Sequence, residues 1–266
     1  MGMQWGAAGD FPSVYEELMV PAFFGFYAAD LIARAGLREG DRLLDVACGT
    51  GVVPRAAAAT GVPLARLTGL DMTPGMLAVA ARVAGDTGAE WIEGDATAMP
   101  FEDASFDVLT CQQGFQFLPD REAGAREFRR VLAPGGRALV ACWTALTDQT
   151  AHQAYMAAIA PHEPDLAGVG AAPFTFDDGD LLAGLLEGAG FAAVEVVRVE
   201  YIARFASAAE FVRSFSEGSP LALALATMPP GRDAELREAA LPALAPFEDD
   251  TGLAAAMATH VAIAVA

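Results

Sequence analysis

One strand–loop–helix unit near residue 50 constrains this chain more than any other feature. Arg42 to Cys48 (RLLDVAC) is a short apolar run carrying one acid, the pattern of a strand buried on both faces. Gly49-Thr50-Gly51 follows, and Val52 to Ala59 then reads as a crossover helix. Glycines at such a turn permit positive φ and let the backbone approach a ligand closely. The helix N-terminus adds unpaired amide donors beside them. A buried strand feeding a helix in this way belongs to a parallel sheet covered by helices.

The same alternation runs on through the first ~200 residues. Before the unit, a helical stretch carries a candidate capping box, Ser13 with Glu16, and is broken by Gly36 and Gly40. After it come strands at Arg66–Asp71, Glu90–Glu93, Phe106–Cys111 and Arg137–Trp143. Between them lie a helix capped by Thr73 with Pro74 at its first position, running to about Ala84, and a helix over Arg121–Leu132 stopped by Pro134-Gly135-Gly136. Thr144 to Phe176 is irregular. Asp177 or Asp178 can cap a helix to Gly188, and Ala193–Val199 alternates like a strand. A helical insertion follows, with a second capping box at Ser207 and Glu210, and His260–Val265 closes as a final strand.

Acids sit at successive strand ends. Strand ends in a sheet of this kind point at one crevice. Asp71 ends the second strand, where an acid can accept both hydroxyls of a ribose; the competing reading is a helix cap, a role Thr73 already fills. Asp95 follows the third strand, where it is either an adenine-side acceptor or an ordinary turn carboxylate.

The blocks LLDVACGTGVV, GLDMTPGML, GDATAMPFEDASFDVLTC and EFRRVLAPGGRALV, in this order over residues 40 to 143, resemble the class I S-adenosylmethionine (SAM)-dependent methyltransferases, particularly the ubiquinone/menaquinone biosynthesis type. The resemblance implies an α/β fold: a doubly wound, Rossmann-like, seven-stranded and mainly parallel sheet. It carries an N-terminal helical cap and a helical insertion before the last strand. One domain is expected over 1–266, its core about 37–200 plus 254–266, with lid elements about 11–36 and 205–250. S-adenosylmethionine is the implied cofactor. Asp45, Ala47, Gly49 and Gly51 would face its methionine part, Asp71 its ribose, and Met72 its adenine ring. Asp95 and Ala96 would hold the adenine edge, Cys111 and Gln112 would line the sulfonium side, and Tyr15 would close over the top. One departure is that GFQFLPD lacks the family's histidine near Gln116 or Phe117, so that loop offers no base.

A sulfonium methyl donor is already activated, so a base is needed only where the nucleophile must lose a proton. No catalytic residue is assigned. His152, Tyr155 and His162 are candidates, with a polar surface or lid position the default for His152 and a satisfied core position for His260. The net charge of −19 repels phosphate backbones and anionic membranes, and all 16 basic residues are arginine. Expected partners are therefore a small, largely apolar methyl acceptor and a second copy of the chain, with no nucleic acid, membrane or metal. The opening MGMQWGAAGDF lacks a secretory pattern, so a cytoplasmic location is expected. Cys48, Cys111 and Cys142 lie in apolar runs and are read as buried thiols. Two rivals remain. An NAD(P) oxidoreductase requires a third Gly or Ala where Pro54 stands. A SAM-binding sensor, scaffold or non-methylating catalyst would keep the cofactor motifs without methyl transfer.

Overall fold

The computed structural model describes residues 10–266, so residues 1–9, including most of the opening read for a secretory pattern, lie outside the described residues. Helix α1 (Phe11–Met19) passes through a π-helical turn, Val20–Phe24, into α2 (Gly25–Ala35). Strand β1 (Arg42–Val46), α3 (Val52–Ala59), β2 (Arg66–Asp71), α4 (Pro74–Val83), β3 (Glu90–Glu93) and β4 (Phe106–Gln112) then alternate. Helix α5 (Arg121–Val131) leads into β5 (Leu132–Trp143). Helices α6 (Thr150–Ile159), α7 (Pro164–Ala171) and α8 (Gly179–Gly188) precede β6 (Ala193–Phe205). The final group is α9 (Ala208–Gly218), α10 (Leu221–Leu225), α11 (Arg232–Leu244), the two-residue β7 (Glu248–Asp249) and β8 (Gly252–Val265).

The sheet order is β3-β2-β1-β4-β5-β8-β6, with β7 pairing off β8. β3, β2, β1, β4 and β5 run parallel, and β8 enters antiparallel between β5 and β6. This is the expected Rossmann-like sheet, with one added two-residue strand. The order reverses between β1 and β4, which puts the crevice at the carboxyl ends of those strands. Helices α2, α3, α6, α9 and α11 pack on one face around Leu43, Val108 and Leu139. The other face packs α5 and α8 on Leu44, Leu109 and Val140.

Several local expectations change. Helix α1 starts at Phe11, and Asp10 makes no side-chain cap, so Ser13 lies inside the first turn and its hydroxyl instead accepts from Arg82 Nη2 at 2.9 Å. Thr73 has extended backbone geometry at the start of α4 but makes no side-chain cap either. Of the two candidate acids, Asp178 caps α8, accepting from the amides of Asp180 and Leu181. Ser207 accepts from Glu210 N at 3.1 Å, one half of the second capping box, while the Glu210 carboxylate takes the amide of Ala206 rather than that of Ser207. The irregular stretch after β5 holds α6 and α7, whose Ala- and Gly-rich sequences give little amphipathic signal. β5 begins at Leu132, with residues 133–136 bulging out of the ladder where Phe106 pairs Leu132 but Val108 pairs Arg137. β6 and β8 are far longer than their sequence patterns, pairing from Ala193–Val265 to Phe205–Leu253. Alanines at 254–256 and 258 hide that strand, because its pairing comes from the neighbouring ladder rather than from β-propensity.

The continuous helix Phe11–Ala35 is long and apolar enough to cross a membrane by length and composition, yet half of its most apolar window is buried within the protein. Phe23, Tyr27 and Leu31 on it belong to the core beneath.

Candidate functional site

The crevice is built from the loop after β1. Ala47, Gly49 and Gly51 all have positive φ, at 54°, 53° and 79°. Gly51 must be glycine twice over, since a Cβ there would collide with the Trp91 ring. At Gly49 a Cβ would meet nothing within 4 Å, so the backbone there is open to the crevice. Gln113, just past β4, is a second non-glycine residue in the left-handed region (φ 47°), and a Cβ on Gly114 would sit 2.5 Å from the Ala47 Cβ. Uncommon backbone conformations at the ends of adjacent strands mark this edge as built for a task other than stability.

Two carboxylates converge under the loop. Asp71 Oδ2 accepts from Gly49 N and Oδ1 from Thr73 N, each at 2.8 Å. Asp71 thus ties the glycine loop to the start of α4. Burial raises its carboxyl pKa, and the Gly49 and Thr73 amides oppose that. Asp45 is 1% exposed and accepts from Thr110 Oγ1 at 2.7 Å. Burial pushes its carboxyl up to about 8; the Thr110 bond lowers it, while the nearby Asp71 charge adds to the rise.

Tyr15 lies above both acids. Burial raises its hydroxyl pKa, and Glu16, Asp71 and Asp45 raise it further. Helix α1 is held there by Glu16 Oε1 on Arg55 Nη2 at 2.7 Å, while Arg55 Nη1 donates to Thr50 O at 2.6 Å. Gln112, on the same sheet face as Asp45, donates Nε2 to Phe24 O at 3.1 Å and leaves its Oε1 buried without a partner.

The remaining positions fall out unevenly. Met72 is 66% exposed, a large apolar side chain standing beside Asp71. Asp95 is exposed and uses Oδ1 to hold Thr97 N and Thr97 Oγ1, both at 2.8 Å; Ala96 beside it is buried. Cys111 is a correction. Its thiol faces the opposite side of the sheet, fully buried with Leu44 and Phe128, because adjacent strand residues alternate faces. Only its backbone borders the crevice. All three cysteines are buried and unpaired, and burial raises the Cys142 thiol to about 12.

Histidine placement also departs from expectation. His152 is neither on the surface nor on a lid edge but buried at 4% exposure. His260 gives its Nε2–H to Asp177 O at 3.1 Å. Thr110, Arg55 and Trp91 were missed from sequence. Thr110 alone had a legible signal, since it shares its strand face with Gln112. A groove of about 780 Å³ between α1 and α4, lined by Pro12, Pro74 and Arg82 among others, holds none of the expected site residues.

Residues 44–140 match the family described as a methyltransferase domain. The chain is 36% identical over 169 residues to the demethylmenaquinone methyltransferase of Clavibacter sepedonicus, covering 59% of this chain and 67% of that protein. This chain belongs to the class I SAM-dependent methyltransferases, of the menaquinone/ubiquinone type. A demethylmenaquinone methyltransferase of Staphylococcus aureus (strain JH9) is 39% identical over 108 residues, 40% of this methyltransferase and 44% of that one. An uncharacterized protein of Mycobacterium tuberculosis is 34% identical over 165 residues, 61% of this chain but only 56% of its own length. Among solved structures, the YcgJ protein of Bacillus subtilis shares the fold at TM-score 0.60 and 18% identity, over 90% of this chain and 98% of that one.

The residues present fit the cofactor of this family. The open Gly49 backbone, the Asp71 carboxylate that holds it and the orphaned Gln112 Oε1 offer contacts to a polar ligand. Buried Asp45 can hold an ammonium, and exposed Met72 offers an apolar face.

Proposed function

We propose that this methyltransferase transfers a methyl group from SAM to a small, largely apolar acceptor, as one catalytic unit whose lids are α1–α2 and the α9–α11 insertion. The observation that carries this reading is the junction of two environments. Tyr15, beside Asp45 and Asp71, has its ring 5.2 Å from Phe24, and Phe24 is 6.1 Å from Trp143 in an aromatic interior. A polar cofactor site thus borders directly on an apolar, aromatic interior. The relatives named demethylmenaquinone methyltransferases support an apolar ring as acceptor.

In this reading Asp71 holds the ribose hydroxyls and Met72 packs on the adenine. Asp95 and Ala96 bound the adenine edge, while Asp45, Ala47, Gly49 and Gly51 receive the methionine part. Gln112 and the Cys111 backbone border the sulfonium, and Tyr15 closes the top. Bound SAM supplies an activated methyl group. The chain's own work is alignment and exclusion of water: the Glu16–Arg55 pair holds α1 down, and the aromatic walls keep the acceptor dry. A cytoplasmic location belongs to the same reading.

The test is calorimetric titration with SAM, S-adenosylhomocysteine (SAH) and NADH, followed by a radiolabelled-methyl screen of apolar acceptors. Micromolar binding of SAM and SAH with labelled product is expected. Binding without any SAH formation across the screen would favour a SAM-binding protein that does not methylate.

A further inference from the structure

The two edges of the sheet are guarded differently. β3 is four residues long and carries Glu90 and Glu93, the short, charged form that keeps an edge from pairing further. β6 closes the opposite edge with thirteen residues in unbroken register on β8. Among the described residues no strand pairs with its outer side. Ala193, Glu195, Arg198, Glu200, Ile202 and Arg204 along it are exposed.

Apolar surface collects at the same edge. Apart from Met72 beside the cofactor crevice, the large apolar side chains left exposed among the described residues are Phe26, Leu181, Ile202 and Val265. Ile202 belongs to β6, and Phe26 stacks on Tyr201 of β6 at 3.9 Å. Val265 pairs with Ala193, and Leu181 lies on α8, which packs on β6. Charge also departs from the rest of the chain here. β6 carries two glutamates and two arginines, so it is neutral in a chain of net charge −19. A second copy can approach this edge without the repulsion that the net charge otherwise imposes.

The order of the β6 side chains is self-complementary. Opposed residues of one sheet share a face, so a two-fold axis relating two β6 strands must run through a residue. With the axis at Val199 all thirteen residues pair, starting with Ala193 opposite Phe205 of the partner subunit. Arg198 then faces Glu200 of the partner subunit, and the symmetry repeats that pair. Val196 faces Ile202 of the partner subunit, and Val197 faces Tyr201 of the partner subunit. Opposite-charge and β-branched or aromatic cross-strand pairs of this kind are the favourable ones. Moving the axis one residue either way sets Arg198 against its own copy, or Glu200 against its own. The charges that would ordinarily blunt an edge therefore select one register instead.

We infer that this protein forms a two-fold dimer in which the β6 strands of two copies pair antiparallel about Val199, joining the two sheets into one. Such a pair closes about one main-chain hydrogen bond per opposed residue pair. Arg198 and Glu200, already 2.9 Å apart within one strand, become a four-membered network across the axis. The cofactor crevice, at the ends of β1 and β4, stays open in both copies.

The experiment is sedimentation velocity on the full chain and on two charge variants, Arg198→Glu and Glu200→Arg, over a micromolar concentration series. The wild type is expected to sediment as a dimer at the top of the series. Each variant alone sets like charges opposite one another at both symmetry-related pairs, and should raise the dissociation constant at least ~10-fold. Mixed in equal amounts, one variant supplies two acids and the other two arginines, so both pairs attract again and the mixed dimer should recover the wild-type affinity. The Glu200 side chain is 71% exposed, and Glu200→Arg leaves the Arg198–Asp148 pair in place, so that variant should melt as the wild type does. A wild type that is monomeric throughout, an unweakened dimer in Glu200→Arg, or a mixture no tighter than its parts would each overturn the inference.

Discussion

Two buried side chains push the pH response of this protein in opposite directions. The Asp45 carboxyl is raised to about 8 by burial, so the folded chain keeps a proton that the unfolded chain releases near pH 4. Asp45 therefore costs stability increasingly as pH climbs from about 4 to about 8. His152 acts in the opposite sense. Its folded pKa of about 4 lies below the unfolded value near 6.5, so stability is lost as pH falls through that window. The melting temperature is expected to decline from pH 6 to 8, and Asp45→Asn should flatten that limb in scanning calorimetry; an unchanged slope would contradict the assignment. An ammonium placed beside Asp45 favours the carboxylate, so SAM binding at pH 7 should release a proton. Titrations in buffers of different ionisation enthalpy would show it. Asp71→Ala removes the acceptors of Gly49 N and Thr73 N as well as the ribose contact. SAM affinity should drop at least ~tenfold, about 1.4 kcal/mol or more, by calorimetry.

At the scale of elements, the glycine loop and α1 are the parts with least tolerance. Gly51 holds φ 79° against the Trp91 ring, so Gly51→Ala combines backbone strain with a collision. A loss of about 2 kcal/mol is expected in urea unfolding. Helix α1 is tied to α3 by the Glu16–Arg55 pair, whose side chains are only 20% and 22% exposed. Arg55→Gln also removes the charged donor to Thr50 O. Stability should fall by about 1 kcal/mol, with faster proteolysis in α1 and faster release of SAH in stopped flow. Unaltered SAH release would show that α1 does not gate the crevice.

For the whole molecule, the decisive feature is that the last strand of the chain is not the last strand of the sheet. β8 lies between β5 and β6, pairing with β6 from Leu253 to Val265 and with β5 from Thr259 to Val265. Without it, β6 has no neighbour and both faces of the sheet lose Val261, Ala262 and Ala264. A chain ended at Thr251 should show no cooperative melting in circular dichroism, although residues 44–140 remain intact. Retention of a cooperative transition would mean that the parallel half folds alone.

Short-range signals were enough for the parallel half. The run Arg42–Cys48, the two glycines after it and the acids at Asp45 and Asp71 each speak through one strand or one turn, and the structure brings them to one crevice. Sequence could not tell which face Cys111 takes relative to Asp45, because that depends on register against β1 and β5. It could not find α6 and α7, whose small residues are buried by neighbours rather than by a pronounced apolar stripe, nor the full length of β8, whose alanines pair only because β6 lies alongside. His152 shows the difference most clearly. Its position after β5 made it a candidate, but its burial, its bond to Gly170 and its unpartnered Nδ1 arise from segments 18 to more than 60 residues away in sequence. Local chemistry is written in neighbouring residues; desolvation and partner choice are properties of contacts that only the closed chain makes.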